Sequence, residues 1–257
     1  MFRIVKTKTV IKLLKSKNNL KEKDRILNLI REFATFQGNL NPDFLNYILS
    51  GDVKSQNLQD LKILQLLSNK KNGYYVEFGA DDGVQNSNSY FLNKIFGWSG
   101  LLAEPNPERF KELKRNRQND YVSNALIWRE KDVELQFTIA GQLSTISDFG
   151  ESDFMKDERK SVSTKKMKFL TTDLESVLNN ANAPKHIDFL SIDTEGSEFD
   201  ILEKFNFDKY IFKVICVEHN NNEENKNKLD SLFIRNGYKQ DLNFAGGVDA
   251  FYVYQEN

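Results

Sequence analysis

From Tyr74 onward the chain alternates short runs of β-branched and aromatic residues with amphipathic stretches, the pattern of a mostly parallel sheet wrapped by helices. Strands are expected at 74–79, 99–104, 121–127, 187–193 and 211–218, and helices at 88–95, 107–117, 173–180, 198–205 and 223–236. Two departures mark this sheet. An insertion at 133–172 carries strand-like 133–140 and 167–171 around a polar stretch at 147–164. The chain then finishes in two strand-like segments, 238–243 and 248–254, joined by Phe244-Ala245-Gly246-Gly247, which predicts a terminal antiparallel hairpin. No internal repeat is present at a period of about 20–50 residues.

The segment before this unit behaves differently. Residues 1–25 hold nine basic side chains against Glu22 and Asp24, and apolar residues such as Ile11, Leu14, Ile26, Leu27, Ile30 and Phe33 recur at near-helical spacing. An N-terminal helical extension over 1–70, with a basic arm at 1–25, therefore precedes a main domain at 71–257. The arm suits weak contact with an anionic membrane surface, or packing on the main domain or on a second copy in a homodimer. The 36 Lys and Arg balance 37 Asp and Glu, so the net charge of −1 gives no field for nucleic acid. No apolar run approaches the ~18 residues of a membrane span, and the N-terminus lacks the pattern of a cleaved signal. The single cysteine, Cys216, lies in an apolar run and reads as a buried thiol, which fits a cytoplasmic location.

Chemistry concentrates where strands end. Val76-Glu77-Phe78-Gly79-Ala80-Asp81-Asp82-Gly83 is a strand running into a turn, with glycines that let the backbone approach a ligand ahead of a helix N-terminus. Its G-x-x-x-G spacing differs from the G-x-G-x-x-G of dinucleotide sites, and the acidic residues would repel a pyrophosphate. A ligand bearing an ammonium and a sulfonium, such as S-adenosylmethionine, suits the turn better. Glu104, in Leu102-Ala103-Glu104-Pro105-Asn106-Pro107, ends the next strand 21 residues beyond Gly83, where a carboxylate can accept both hydroxyls of an adenosine ribose. Asn106 and Pro107 read as the N-cap and first residue of the following helix.

Ser191-Ile192-Asp193-Thr194-Glu195-Gly196-Ser197-Glu198 ends a further strand in carboxylates and a glycine turn, with Ser197 as the expected cap of the next helix. Val217-Glu218-His219-Asn220 ends its neighbour. Asp193, Glu218 and His219 could share a divalent cation such as Mg2+ or Mn2+. Alternatively His219 or a carboxylate serves as a general base, or His219 is simply satisfied by a hydrogen bond.

Taken together, Tyr75-Val76-Glu77-Phe78-Gly79-Ala80-Asp81-Asp82-Gly83 with Ser87-Asn88, Gly97-Trp98-Ser99-Gly100-Leu101-Leu102-Ala103-Glu104-Pro105, Asp193-Thr194-Glu195-Gly196-Ser197-Glu198 and Val217-Glu218-His219-Asn220 resemble the FkbM-type methyltransferases. Ser55-Gln56 and Gln59-Asp60 resemble the segment before that family's first strand. The resemblance implies a class I, Rossmann-like S-adenosylmethionine-dependent fold and O-methylation of a sugar, glycan or related natural product. It implies a cofactor site of Glu77, Gly79, Ala80, Gly83, Ser87, Asn88, Glu104, Pro105 and Asp193, with Asn124 and Ala125 near the adenine. For the chemistry, Asp193 and the Glu218-His219 pair are expected to work on the acceptor while Glu195 and Glu198 orient acceptor or cofactor groups, which makes Asp193, Glu195 and His219 the candidate catalytic residues. The similar macrocin-type sugar methyltransferases hold a metal where Asp193, Glu218 and His219 fall. The readings from other classes are a nicotinamide-dependent oxidoreductase, which shares the βαβ start, and a non-enzymatic binding module using the basic arm.

Overall fold

The computed structural model describes residues 20–35, 44–150, 156–242 and 247–256. Most of the basic arm and the centre of the last hairpin loop lie outside these residues. Three helices come first: α1 (Leu20–Thr35), α2 (Phe44–Ser50) and α3 (Gln59–Leu66). The alternating unit follows as β1 (Tyr74–Phe78), α4 (Tyr90–Phe96), β2 (Ser99–Ala103), α5 (Pro107–Asn116) and β3 (Tyr121–Ser123). The insertion contributes β4 (Leu126–Trp128), β5 (Glu134–Ile139), β6 (Thr145–Ile146), α6 (Lys156–Ser161) and β7 (Lys165–Asp173). The chain then completes α7 (Leu174–Asn180), β8 (His186–Ile192), α8 (Glu198–Leu202), β9 (Ile211–Glu218), α9 (Glu223–Arg235), β10 (Tyr238–Gln240) and β11 (Asp249–Tyr254).

The main sheet runs β10-β11-β9-β8-β1-β2-β3. β11 is antiparallel to β9 and β10, and the other pairings are parallel. From β1 the chain builds outward through β2 and β3, then returns to lay β8 on the other side of β1. That reversal opens a crevice at the carboxyl ends of β1 and β8, where open α/β sheets bind ligands.

Alternation along the strands separates two cores. Val76, Phe78, Leu190, Ile192, Ile215 and Val217 pack with α7, α8 and α9 on one face. Tyr75, Phe189, Val214 and Cys216 face the other way, onto Ile26 and Leu29 of α1, Phe44 and Ile48 of α2, and Leu61 and Leu64 of α3. The N-terminal helices share that face with α4 and α5, which supply Phe91, Leu92, Phe96 and Leu113. Cys216 is buried there, and burial pushes its thiol well above the ordinary range.

Three local expectations change. The single strand expected at 121–127 is two, because the Ser123 hydroxyl accepts the Ala125 N–H at 3.2 Å and the chain leaves the main sheet there. β4 instead joins a second sheet, β4-β7-β5-β6, made largely by the insertion. The helix after the glycine turn begins only at Tyr90, so no helix N-terminus meets a ligand at Gly79. Ser197 does not cap α8: its hydroxyl bonds Thr194 Oγ1 at 2.9 Å, and the helix ends at Leu202 rather than near 205.

Candidate active site

A cavity of about 350 Å3 occupies the crevice at the carboxyl ends of β1, β2, β8 and β9. The turn after β1 forms its floor. Gly79 has φ +70°, and a Cβ there would lie 1.7 Å from the Asp193 carbonyl oxygen, so the end of β8 dictates glycine at this position. Gly83 closes the turn through its N–H to Ala80 O at 2.8 Å. A Cβ on Gly83 would meet Leu113 at 2.5 Å and Arg117 at 2.8 Å. It is needed for packing against α5, and unlike Gly79 and Ala80 it does not line the cavity.

Glu77 works as an organiser. It accepts the Asn88 N–H at 2.8 Å, the Ser87 hydroxyl at 3.0 Å and the Ser89 hydroxyl, fixing the segment that walls the cavity. Asn88 in turn donates to Ser191 Oγ at 3.0 Å, joining that segment to β8. Beneath them the buried Arg117 guanidinium holds Gly83 O, Tyr75 Oη and Ser89 Oγ.

At the end of β2, Glu104 Oε2 accepts the Asp81 N–H at 3.1 Å and Oε1 accepts the Asn106 N–H at 2.7 Å. Each oxygen keeps capacity for one more donor. Burial, reinforced by Asp81, pushes its carboxyl up to about 8 against the pull of those N–H groups. Asn106 caps α5 as expected, accepting the Glu108 N–H at 3.1 Å. Beside Glu104 and Pro105, an apolar slot is lined by Ala125, Leu126, Ile127, Phe137, Leu143 and Ile146. Asn124 does not line it. Phe137, Leu143 and Ile146 come from the insertion, and only the apolar alternation of 133–140 hinted in the sequence that one face was destined for burial. Gln142 and Arg109 clasp Asp81 from above, at 2.9 and 2.5 Å.

The other end of the cavity is acidic. Asp193 is exposed, and the surface it exposes lines the cavity beside Glu218. The two carboxyls share a hydrogen bond, and burial together with mutual repulsion pushes Glu218 far above the ordinary carboxylate range. Glu198, wholly buried, joins them: one carboxylate oxygen from each of Asp193, Glu198 and Glu218 lies within 4.8 Å of the others. Glu198 Oε1 also accepts the Thr194 N–H at 2.8 Å and the Gly196 N–H at 3.1 Å, so this residue, not Ser197, fastens the turn.

His219 is not part of this group. It does not line the cavity, and the charges that act on it are Lys226, Glu223 and Asp230 of α9. Burial lowers its pKa, which leaves the ring neutral near pH 7. Glu195, at φ +58°, lines the cavity and reaches Arg159 of the insertion at 3.5 Å, while its carbonyl accepts the Thr145 hydroxyl at 2.8 Å.

A family model described as the Methyltransferase FkbM domain matches residues 77–240. This chain belongs to the FkbM methyltransferase family. No curated protein matches it. Among solved structures, the precorrin-6y C5,15-methyltransferase of Geobacter metallireducens is similar at 11% identity over 80% of this chain and 91% of that one, with a TM-score of 0.44. The N-terminal domain of human METTL16 is similar at 11% identity over 96% and 94%, with a TM-score of 0.43. Fibrillarin from Aeropyrum pernix, in complex with natively bound S-adenosyl-L-methionine, is similar at 12% identity over 72% and 66%, with a TM-score of 0.35.

The fold is that of the class I S-adenosylmethionine-dependent methyltransferases, mostly parallel with the antiparallel β11 beside β9. Membership of the FkbM family removes the nicotinamide reading. Part of the cavity wall of this FkbM protein lies outside the matched residues: Gln56 and Gln59 before them, Val248 and Asp249 after them. Ser55 and Asp60 anchor the first of these segments through a hydroxyl–carboxylate bond of 2.6 Å. No helix among the described residues is long and apolar enough to cross a membrane.

Proposed function

We propose that this protein is an S-adenosylmethionine-dependent O-methyltransferase acting on a hydroxyl of a sugar, glycan or related natural product. The observation that carries the reading is the polarity of one cavity. Glu104 and an apolar slot stand at one end, the carboxylates of Asp193 and Glu218 at the other, and Gly79-Ala80 between them.

The donor set fits the cofactor. Glu104 has two oxygens available for a ribose diol, and the slot of Ala125, Leu126 and Ile127 suits an adenine face. Acidic groups at the far end favour a ligand carrying positive charge. When bound, S-adenosylmethionine supplies an electrophilic methyl group on sulfur. Methyl transfer to an alcohol is an in-line displacement, so the protein must hold the acceptor oxygen about 3 Å from that carbon. Asp193, which Glu218 holds through the hydrogen bond they share, orients the hydroxyl and withdraws its proton. Glu195, tied to the insertion by Arg159, fixes the wall beside them. Gln56, Asn86, Asn220 and Asp249 give this end a rim of amides and a carboxylate, suited to a hydroxyl-rich acceptor.

Thermal unfolding with S-adenosylhomocysteine tests the reading, because a ligand at 100 times its Kd adds about 2.7 kcal/mol to stability. A rise in Tm with the sulfur ligand and none with NAD is expected. No rise would overturn it. Asp193→Ala is expected to abolish turnover while S-adenosylhomocysteine affinity stays within about tenfold, or 1.4 kcal/mol.

A further inference from the structure

Three carboxyls meet at the acceptor end of the cavity, Asp193 exposed to it and Glu198 wholly buried behind it. Among the described residues no lysine or arginine pairs with Asp193, Glu198 or Glu218, and every charge acting on Glu218 is itself acidic. Glu198 is the informative member. Its side chain is wholly buried, its Oε1 holds Thr194 and Gly196, and its Oε2 has no partner. Glu218 Oε2 is likewise buried and unpartnered. The orphaned Glu198 oxygen beside this acidic pair carries an uncompensated desolvation cost, which a cation bound by the three carboxyls relieves while displacing the proton that Asp193 and Glu218 share.

We propose that Asp193, Glu198 and Glu218 bind one divalent cation of the hard, oxygen-seeking class, Mg2+ or Mn2+, with His219 excluded. The spacing is close to what such an ion needs. Oxygens about 2.1 Å from a shared ion stand at most about 4.2 Å apart, against the 4.8 Å limit within which these three already fall, so small carboxylate rotations complete the set. Two strands and a helix start supply the ligands: Asp193 follows β8, Glu218 closes β9 and Glu198 opens α8. Since Asp193 and Glu218 line the cavity, the ion would keep its remaining positions toward the acceptor and polarise the hydroxyl directly. What the ion does there rests on the methyltransferase reading; that it binds does not.

Mn2+ titration of the full chain, followed by the loss of the free-ion electron paramagnetic resonance signal, tests the site. One ion is expected per chain, with affinity falling at least tenfold in Glu198→Gln and in Glu218→Gln. Glu134→Gln, at an exposed carboxyl of β5 paired with Lys168 and outside the cavity, should leave Mn2+ affinity unchanged. The Glu218 variant stands alone if loss of the Glu198 contacts to the turn prevents folding. Absence of Mn2+ binding at millimolar concentration, unchanged affinity in Glu218→Gln, or competition between Mn2+ and S-adenosylhomocysteine would overturn the proposal. The last result would assign the cluster to the cofactor's ammonium. Binding of S-adenosylhomocysteine in the presence of a chelator separates the two failures. If it binds and Mn2+ does not, only the cation site falls; if it does not bind, the methyltransferase reading falls.

Discussion

The side-chain amide of Gln59 donates to the Asp249 carboxylate at 2.7 Å, joining residues 190 apart in sequence across the rim of the cavity. Gln59 begins α3 and is 3% exposed, while Asp249 begins β11, so one bond ties the N-terminal helices to the terminal hairpin. Burial and nearby Asp193 push the Asp249 carboxyl up to about 7, and the Gln59 and Asn57 donors pull against that rise. Gln59→Leu keeps the volume and removes the donor. It is expected to cost about 1–3 kcal/mol in denaturant unfolding, the range for a buried acceptor stripped of its partner.

Gly79 is predicted to tolerate no side chain. Its Cβ would fall 1.7 Å from a backbone oxygen of β8's continuation, which cannot rotate away. Gly79→Ala should lose more than about 3 kcal/mol, beyond the usual range of point changes. Gly141→Ala is the control: it shares the positive φ but meets nothing within 4 Å, so about 1–2 kcal/mol is expected. Equal losses in the two variants would contradict the packing account.

Glu104 links stability and affinity to pH with opposite signs. Its folded pKa of about 8 lies above the ordinary 4.5, so across that window the folded state keeps a proton that the unfolded chain releases. Its contribution to stability is full below about 4.5 and declines as pH rises toward 8. The ionised form is the one that accepts two ribose hydroxyls, so S-adenosylhomocysteine affinity should climb over the same interval. Glu104→Gln should flatten both profiles and weaken binding about 10–100-fold, or roughly 1.4–2.7 kcal/mol, by calorimetry at pH 8.5.

Arg117 should not be replaceable by lysine. Its Nε pairs with Asp120 at 3.0 Å while its two terminal nitrogens reach Gly83 O, Tyr75 Oη and Ser89 Oγ, a forked set that a single ammonium cannot span. Arg117→Met should lose about 3–5 kcal/mol of stability, since Asp120 stays buried without its counter-charge, and Arg117→Lys about 1–3 kcal/mol, since one ammonium leaves buried acceptors of the fork unpaired. A Tm of Arg117→Met within a few degrees of wild type would refute this.

The order of strands and helices, the terminal hairpin and the cap at Asn106 were legible because each depends on neighbours in sequence. The same holds for the acidic residues that end β1, β2, β8 and β9. Carboxylates and glycines that follow an apolar run announce a strand end wherever the strand is later placed. What the sequence could not supply is which way those groups point and what stands across from them. Glu218 and His219 are adjacent, yet alternation sends one side chain to the cavity and the other toward α9, while Glu198 enters the acidic group from the start of a helix. Gly79 looked like a residue kept bare for a ligand, but Asp193 is the group that would collide with its side chain. The slot wall from the insertion and the Gln59–Asp249 bond join segments separated by long stretches of chain. Local chemistry thus determined the βα order and the residue types at the strand ends. Only tertiary structure decided their partners, because side-chain direction and long-range packing are set when the sheet closes around its two cores.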